Sequence, residues 1–134
     1  MNSIIETIQF YYPDTQAIYL FGSYSTEYER PESDVDIAVL LPVLTAKSAG
    51  SLTLSDCWSK LAALTGREVD VINLRQVNTV FQHEIIHHGQ IIFNADEYAT
   101  AEFEMLTMSF YQKLNEERKE ILEEVMKTKR ILDI

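Results

Sequence analysis

From Asp96 to about Leu132 the chain has neither proline nor glycine and is dense in Glu, Lys, Leu and Met, so nothing in this stretch breaks a helix. One helix of that length would run about 55 Å at 1.5 Å per residue. A domain of 134 residues has a radius of gyration of only about 14 Å. The segment must therefore break, fold back or project. Its first half (Phe103, Met105, Leu106, Met108, Phe110, Tyr111, Leu114) is apolar on most sides. Its second half is a charged rod with a narrow strip of Ile121, Leu122, Val125 and Met126. Such surplus apolar surface points to a protein partner or to self-association through this helix. Wrapping onto its own sheet accounts equally well for the first half.

Upstream, helical and strand patterns alternate. Ser3 to Tyr12 carries Ile4, Ile5, Ile8 and Tyr12 at helical spacing and stops at Pro13. Ala17 to Phe21 is a short run of strand formers closed by Gly22. Asp34 to Leu41 reads as a second strand, with Val35, Ile37 and Val39 on one face and Asp34, Asp36, Ala38 and Leu40 on the other. One helical turn is expected over Ser25 to Glu29, a helix over Ser51 to Leu64 ending at Gly66, and a third strand over Glu68 to Asn73. A helix over Val77 to His88 and a short strand over Gln90 to Phe93 follow. The order predicts an α/β (α+β) fold with a small mixed sheet flanked by helices. Residues 1–95 would form the core and 96–134 a helical segment packed on it or on a partner.

Composition narrows the function classes. The hydrophobic fraction of 46% is enough for a core, and no apolar run approaches a membrane span of ~18 residues. The start, Met1 to Glu6, lacks a basic region and has an early acid, and Cys57 stands alone. The expected location is therefore cytoplasmic, without a disulfide framework. A net charge of −10 and a pI near 4.6 disfavour direct binding of nucleic acid and favour cations and basic protein surfaces.

The chemistry concentrates between residues 21 and 36. Asp34 and Asp36 share a strand face, so their carboxylates converge and repel unless a proton or cation intervenes. Magnesium suits the place, because it takes oxygen ligands from one or two carboxylates plus substrate phosphates. The Gly22-Ser23 pair, ten residues before Asp34, offers a tight turn whose backbone amides can approach phosphate. Asp70, on the third strand, completes an acidic cluster if the two strands are neighbours. Three carboxylates suit a two-metal site for attack on a nucleoside triphosphate.

On these residues the chain resembles the minimal nucleotidyltransferases of the DNA polymerase β-like superfamily. Their signature is Gly-Ser, ten residues, Asp-x-Asp and a later third acid, matched here by Gly22, Ser23, Asp34, Asp36 and Asp70. The resemblance covers roughly the first ninety residues. It implies two Mg²⁺ ions on Asp34, Asp36 and Asp70, and ATP as substrate, with Arg30 and Ser33 near the nucleotide; Tyr24 is added because it lies next to the motif. The segment Phe110 to Leu122 is similar to the C-terminal helix of the minimal nucleotidyltransferase antitoxins of HEPN–MNT toxin–antitoxin pairs. That branch transfers AMP from ATP to a tyrosine of a HEPN ribonuclease toxin, in a type VII-like system. Many of its members have Arg-Gly where Thr26 and Glu27 stand here. Two other readings stay open: an antitoxin of the same fold that neutralises by binding alone, and an aminoglycoside-type nucleotidyltransferase.

His83-Glu84-Ile-Ile-His87 also spells the zincin pattern, which puts two histidines on one helix face. The helix ends at once at Gly89 and no third ligand follows at a known spacing. The bland alternative is a solvated helix end, where imidazole suits the dipole. Cys57 is expected to be buried filler.

Overall fold

Four short strands and five helices emerge from these patterns in a computed structural model that describes residues 2–22 and 34–132. The order is α1 (Asn2–Tyr11), β1 (Ala17–Phe21), β2 (Val35–Leu40), α2 (Val43–Ala49), α3 (Asp56–Thr65), β3 (Val69–Asn73), a 3₁₀ turn (Leu74–Gln76), α4 (Thr79–His88), β4 (Gln90–Asn94) and α5 (Glu97–Leu132). The sheet order is β3-β2-β1-β4. β1 is antiparallel to β2 and β4, while β2 and β3 are parallel, so the sheet is mixed.

The central strands β1 and β2 are covered on both faces. Ile18 and Leu20 of β1, Val35, Ile37 and Val39 of β2 and Val69 and Val71 of β3 pack with Ile4 and Ile8 of α1 and Cys57 and Leu61 of α3. The opposite face sets Ala17, Tyr19, Ala38 and Leu40 against Ile85 of α4 and Phe103 of α5. That face carries the acids, because Asp36 alternates with Val35 and Ile37.

Three local differences from the expected elements have physical causes. α2 was not anticipated: its two turns begin where Ala46 N–H donates to Pro42 O (2.8 Å), and buried Asn73 donates Nδ2 to Ala46 O (2.9 Å) and Gly50 O (2.8 Å). Its support thus comes from another strand, 23 and 27 residues away. α3 starts at Asp56 rather than Ser51, because Leu54 takes φ 62° and Ser55 caps the helix by accepting from Trp58 N–H. Its end at Gly66, φ 66°, is the left-handed stop expected. β2 begins at Val35, whose N–H makes the first link to Glu68 O (2.9 Å), so Asp34 sits just before the strand. The remaining boundaries shift by no more than two residues. The turn expected over Ser25 to Glu29 lies outside the described residues.

The terminal segment neither breaks nor folds back; α5 is one helix of 36 residues. Thr100, Phe103 and Thr107 are buried against the core, while Met105, Leu106, Met108 and Phe110 face out. From Asn115 to Lys129 every residue is exposed.

Candidate active site

Strand register assembles the site. Phe21 pairs with Asp36 across the antiparallel β1–β2 ladder, and Asp36 pairs with Asp70 across the parallel β2–β3 ladder. Register partners present their side chains on the same face, so Phe21, Asp36 and Asp70 form one row across three strands. The row lies at the end where β1 leaves the sheet and β2 and β3 enter it. β3 is pinned beside it by Trp58 of α3, whose indole N–H donates to Val69 O at 2.6 Å.

Immediately after Phe21 the chain turns at Gly22 with φ 80°. A Cβ at this position would lie 2.3 Å from Asp36 Oδ2. The carboxylate thus occupies the space that any side chain would fill, and only glycine permits the approach.

Asp36 is half-buried, whereas Asp34 and Asp70 are exposed. Burial, then the charge of Asp70, then that of Asp34 push the Asp36 carboxyl above the usual carboxylate range. Asp36 therefore feels the charge of both other acids. Among the described residues, no three His, Cys, Asp or Glu side chains stand close enough to form a complete metal ligand set. The donor set is nevertheless oxygen-only, and Asp36 is crowded by the charges of Asp70 and Asp34. That matches what Mg²⁺ takes when substrate phosphates complete its shell.

Of the residues expected at the site, Gly22, Asp34, Asp36 and Asp70 are brought to one end of the sheet. Ser23, Tyr24, Arg30 and Ser33, with Thr26 and Glu27, lie outside the described residues. Two neighbours escaped the sequence reading. Trp58 falls within the helix expected over Ser51 to Leu64, and nothing local signals its bond to β3. Phe21 was expected as a strand residue; its ring meets Phe81 of α4 edge-on at 6.0 Å, an unsignalled tertiary contact.

The zincin-like segment forms a joint between helices. His83 lies flat against Tyr111 of α5, ring centres 3.7 Å apart and planes 6° apart, and stacks with His87 at 5.8 Å. Glu84 faces His88 at 3.3 Å, and both are exposed. His83 Nδ1 is buried with no hydrogen-bond partner among the described residues. Cys57 is buried as expected, and its thiol is pushed up to about 11 by that burial. No helix among the described residues is long and apolar enough to cross a membrane.

Comparison with known proteins agrees with this fold. The family model described as "Polymerase beta, Nucleotidyltransferase" matches residues 2–98. The protein adenylyltransferase MntA of Shewanella oneidensis is 34% identical over 125 residues, which cover 93% of this chain and 86% of that protein. A crystal structure of a toxin–antitoxin with AMP-PNP aligns with TM-score 0.74 and 34% identity, over 93% of this chain and 97% of its own. A tri-AMPylated Shewanella oneidensis HEPN toxin in complex with MNT antitoxin gives TM-score 0.69 and 33% identity, over 93% of this chain and 94% of the matched one.

Proposed function

Since the chain belongs to the polymerase β nucleotidyltransferase family, we propose that it is an antitoxin that moves AMP from ATP to a tyrosine of a HEPN ribonuclease. The observation that carries this reading is the Asp36–Asp70 pairing with Asp36 seated over Gly22. It supplies adjacent carboxylates at a strand end beside a turn that excludes side chains. The relatives named for protein adenylylation, for AMP-PNP and for an AMPylated HEPN toxin support the substrate and the partner.

Asp34, Asp36 and Asp70 would hold two Mg²⁺ ions, which when bound neutralise the triphosphate and the charge developing on it. A complete protein cage is not required, because Mg²⁺ is usually held by one or two carboxylates plus phosphate oxygens. Gly22 keeps the approach to Asp36 open. Ser23, with Tyr24, Arg30 and Ser33 beyond it, would contact the nucleotide. The acceptor tyrosine oxygen bonds to the α-phosphorus as the bond from that phosphorus to the β-bridging oxygen breaks, and pyrophosphate leaves. The phenolic proton passes to Asp70, the more exposed of the pair. The net charge of −10 speaks against a nucleic-acid acceptor, and a cytoplasmic setting supplies both ATP and Mg²⁺.

The test uses the purified chain, α-labelled ATP, Mg²⁺ and its HEPN partner. Label should appear on the partner with the native chain and vanish with Asp34→Ala plus Asp36→Ala. Undiminished transfer by the double variant sinks the assigned site.

A further inference from the structure

The contacts of α5 show which way it runs along the sheet. Near its start, Phe103 lies under the guanidinium of Arg75, 5.3 Å from the ring centre. Arg75 in turn donates to Leu41 O, just past β2, and to Gln16 Oε1, just before β1. One residue on, Glu104 accepts from the hydroxyl of Tyr19, midway along β1, at 2.7 Å. Tyr111 then covers His83. Finally, Leu114 and Arg118 share an open cleft of about 640 Å³ with Phe81, the ring that meets Phe21, next to Gly22. The helix thus travels from the end of the sheet where β1 begins to the end carrying Asp36 and Asp70.

It then continues past that end. The exposed stretch from Asn115 to Lys129 adds about 22 Å of helix. At 100° per residue, Ile121, Leu122, Val125 and Met126 fall on one side of it, each more than half exposed. The charges beside the strip are Arg118, Lys119, Lys127 and Lys129 together with Glu123 and Glu124, while Glu116, Glu117 and Glu120 fall behind. In a chain of net charge −10, the overhang presents an apolar strip whose border is basic by four residues to two. A helix of this length gains little stability unless an apolar face is packed.

We infer that this strip is the docking surface for the protein acceptor, whose matching face is apolar with acidic residues around it. The inference rests on the adenylyltransferase reading. Position favours this occupant, because a protein seated on the overhang stands directly beyond the strand ends that carry the acids. Charge disfavours a second copy. Antiparallel pairing centred between Glu123 and Glu124 would set Arg118 against Lys129, and parallel pairing would set each basic residue against itself.

The test compares the native chain, Leu122→Asp plus Val125→Asp, Lys119→Glu plus Lys129→Glu, and Asp36→Asn. Each is titrated with the HEPN partner in a calorimeter and assayed for AMP transfer over a range of partner concentrations. The apolar and charge variants should weaken binding and raise the KM for the partner at least tenfold. Their kcat, KM for ATP and helical circular dichroism should be unchanged. Asp36→Asn should bind normally and transfer nothing. Unchanged partner affinity in both strip variants overturns the inference, as does a native dimer in light scattering that either strip variant splits. Native binding without any transfer would instead count against the adenylyltransferase reading and leave the docking surface intact.

Discussion

Asp36 leans over Gly22 so closely that its Oδ2 sits 2.3 Å from where a β-carbon would stand. The glycine also has φ 80°, so backbone conformation and space both reject a side chain here. Gly22→Ala should cost about 1–3 kcal/mol of stability. It should also reduce AMP transfer by two orders of magnitude or more, because the displaced carboxylate is the one in the row. Thermal unfolding and a transfer assay on the same preparation measure both.

Asp36→Asn should separate stability from activity. The Asp36 carboxyl is raised by burial, by Asp70 and by Asp34, so the folded state holds its proton more tightly than the unfolded state does. That contribution is complete below the ordinary carboxylate pKa and is lost as pH rises through the raised value. At neutral pH and without Mg²⁺, the asparagine variant should therefore melt a few degrees higher than the native chain, with the difference vanishing in acid. Transfer should fall by at least about 10²-fold, since metal-assisted charge stabilisation is worth several kcal/mol. Melting curves from pH 4 to 8 provide the check; a lower melting temperature at pH 7 would contradict the assigned electrostatics.

Trp58→Phe keeps an aromatic ring against the core and deletes one bond, that from the indole to Val69 O. A loss of about 1–2 kcal/mol is expected for leaving that carbonyl without its donor. Because Val69 precedes Asp70, kcat should fall further than the KM for ATP rises. Steady-state kinetics beside urea unfolding separates the two effects.

Tyr111→Ala removes the ring covering His83. The cost should be about 1–3 kcal/mol. It should appear first as faster amide exchange over Tyr111 to Leu114 and over α4, with β1 to β3 remaining protected. Hydrogen-exchange mass spectrometry reads this directly.

Cys57 should resist thiol reagents in the folded protein at pH 8, since burial removes access and pushes its pKa up to about 11. Labelling should become complete in denaturant. Rapid labelling of the native chain would place Cys57 at the surface.

Where the two faces of a strand differ in side-chain character, the chain's pattern was enough. Val35, Ile37 and Val39 announce one face of β2, and Asp36 and Ala38 the other, because strand side chains alternate with period two. The unbroken run to Leu132 announces α5, and Gly66 the end of α3. α2 was invisible because Asn73, far along the chain, satisfies the carbonyls at its end. The late start of α3 came from the left-handed Leu54, a conformation with no side-chain signature.

The site divides in the same way. Residue order alone set Gly22, Asp34, Asp36 and Asp70 apart as a candidate nucleotide site, because that spacing combines a tight turn with paired carboxylates. That Asp36 meets Asp70, and not a residue two places along, is a matter of strand register, which hydrogen bonds between distant segments determine. The direction of α5 toward the acidic end was likewise settled by packing: Phe103 on Arg75, Tyr19 on Glu104 and Tyr111 on His83. Local pattern specifies what each segment can be; only long-range contacts specify which end of the sheet it reaches.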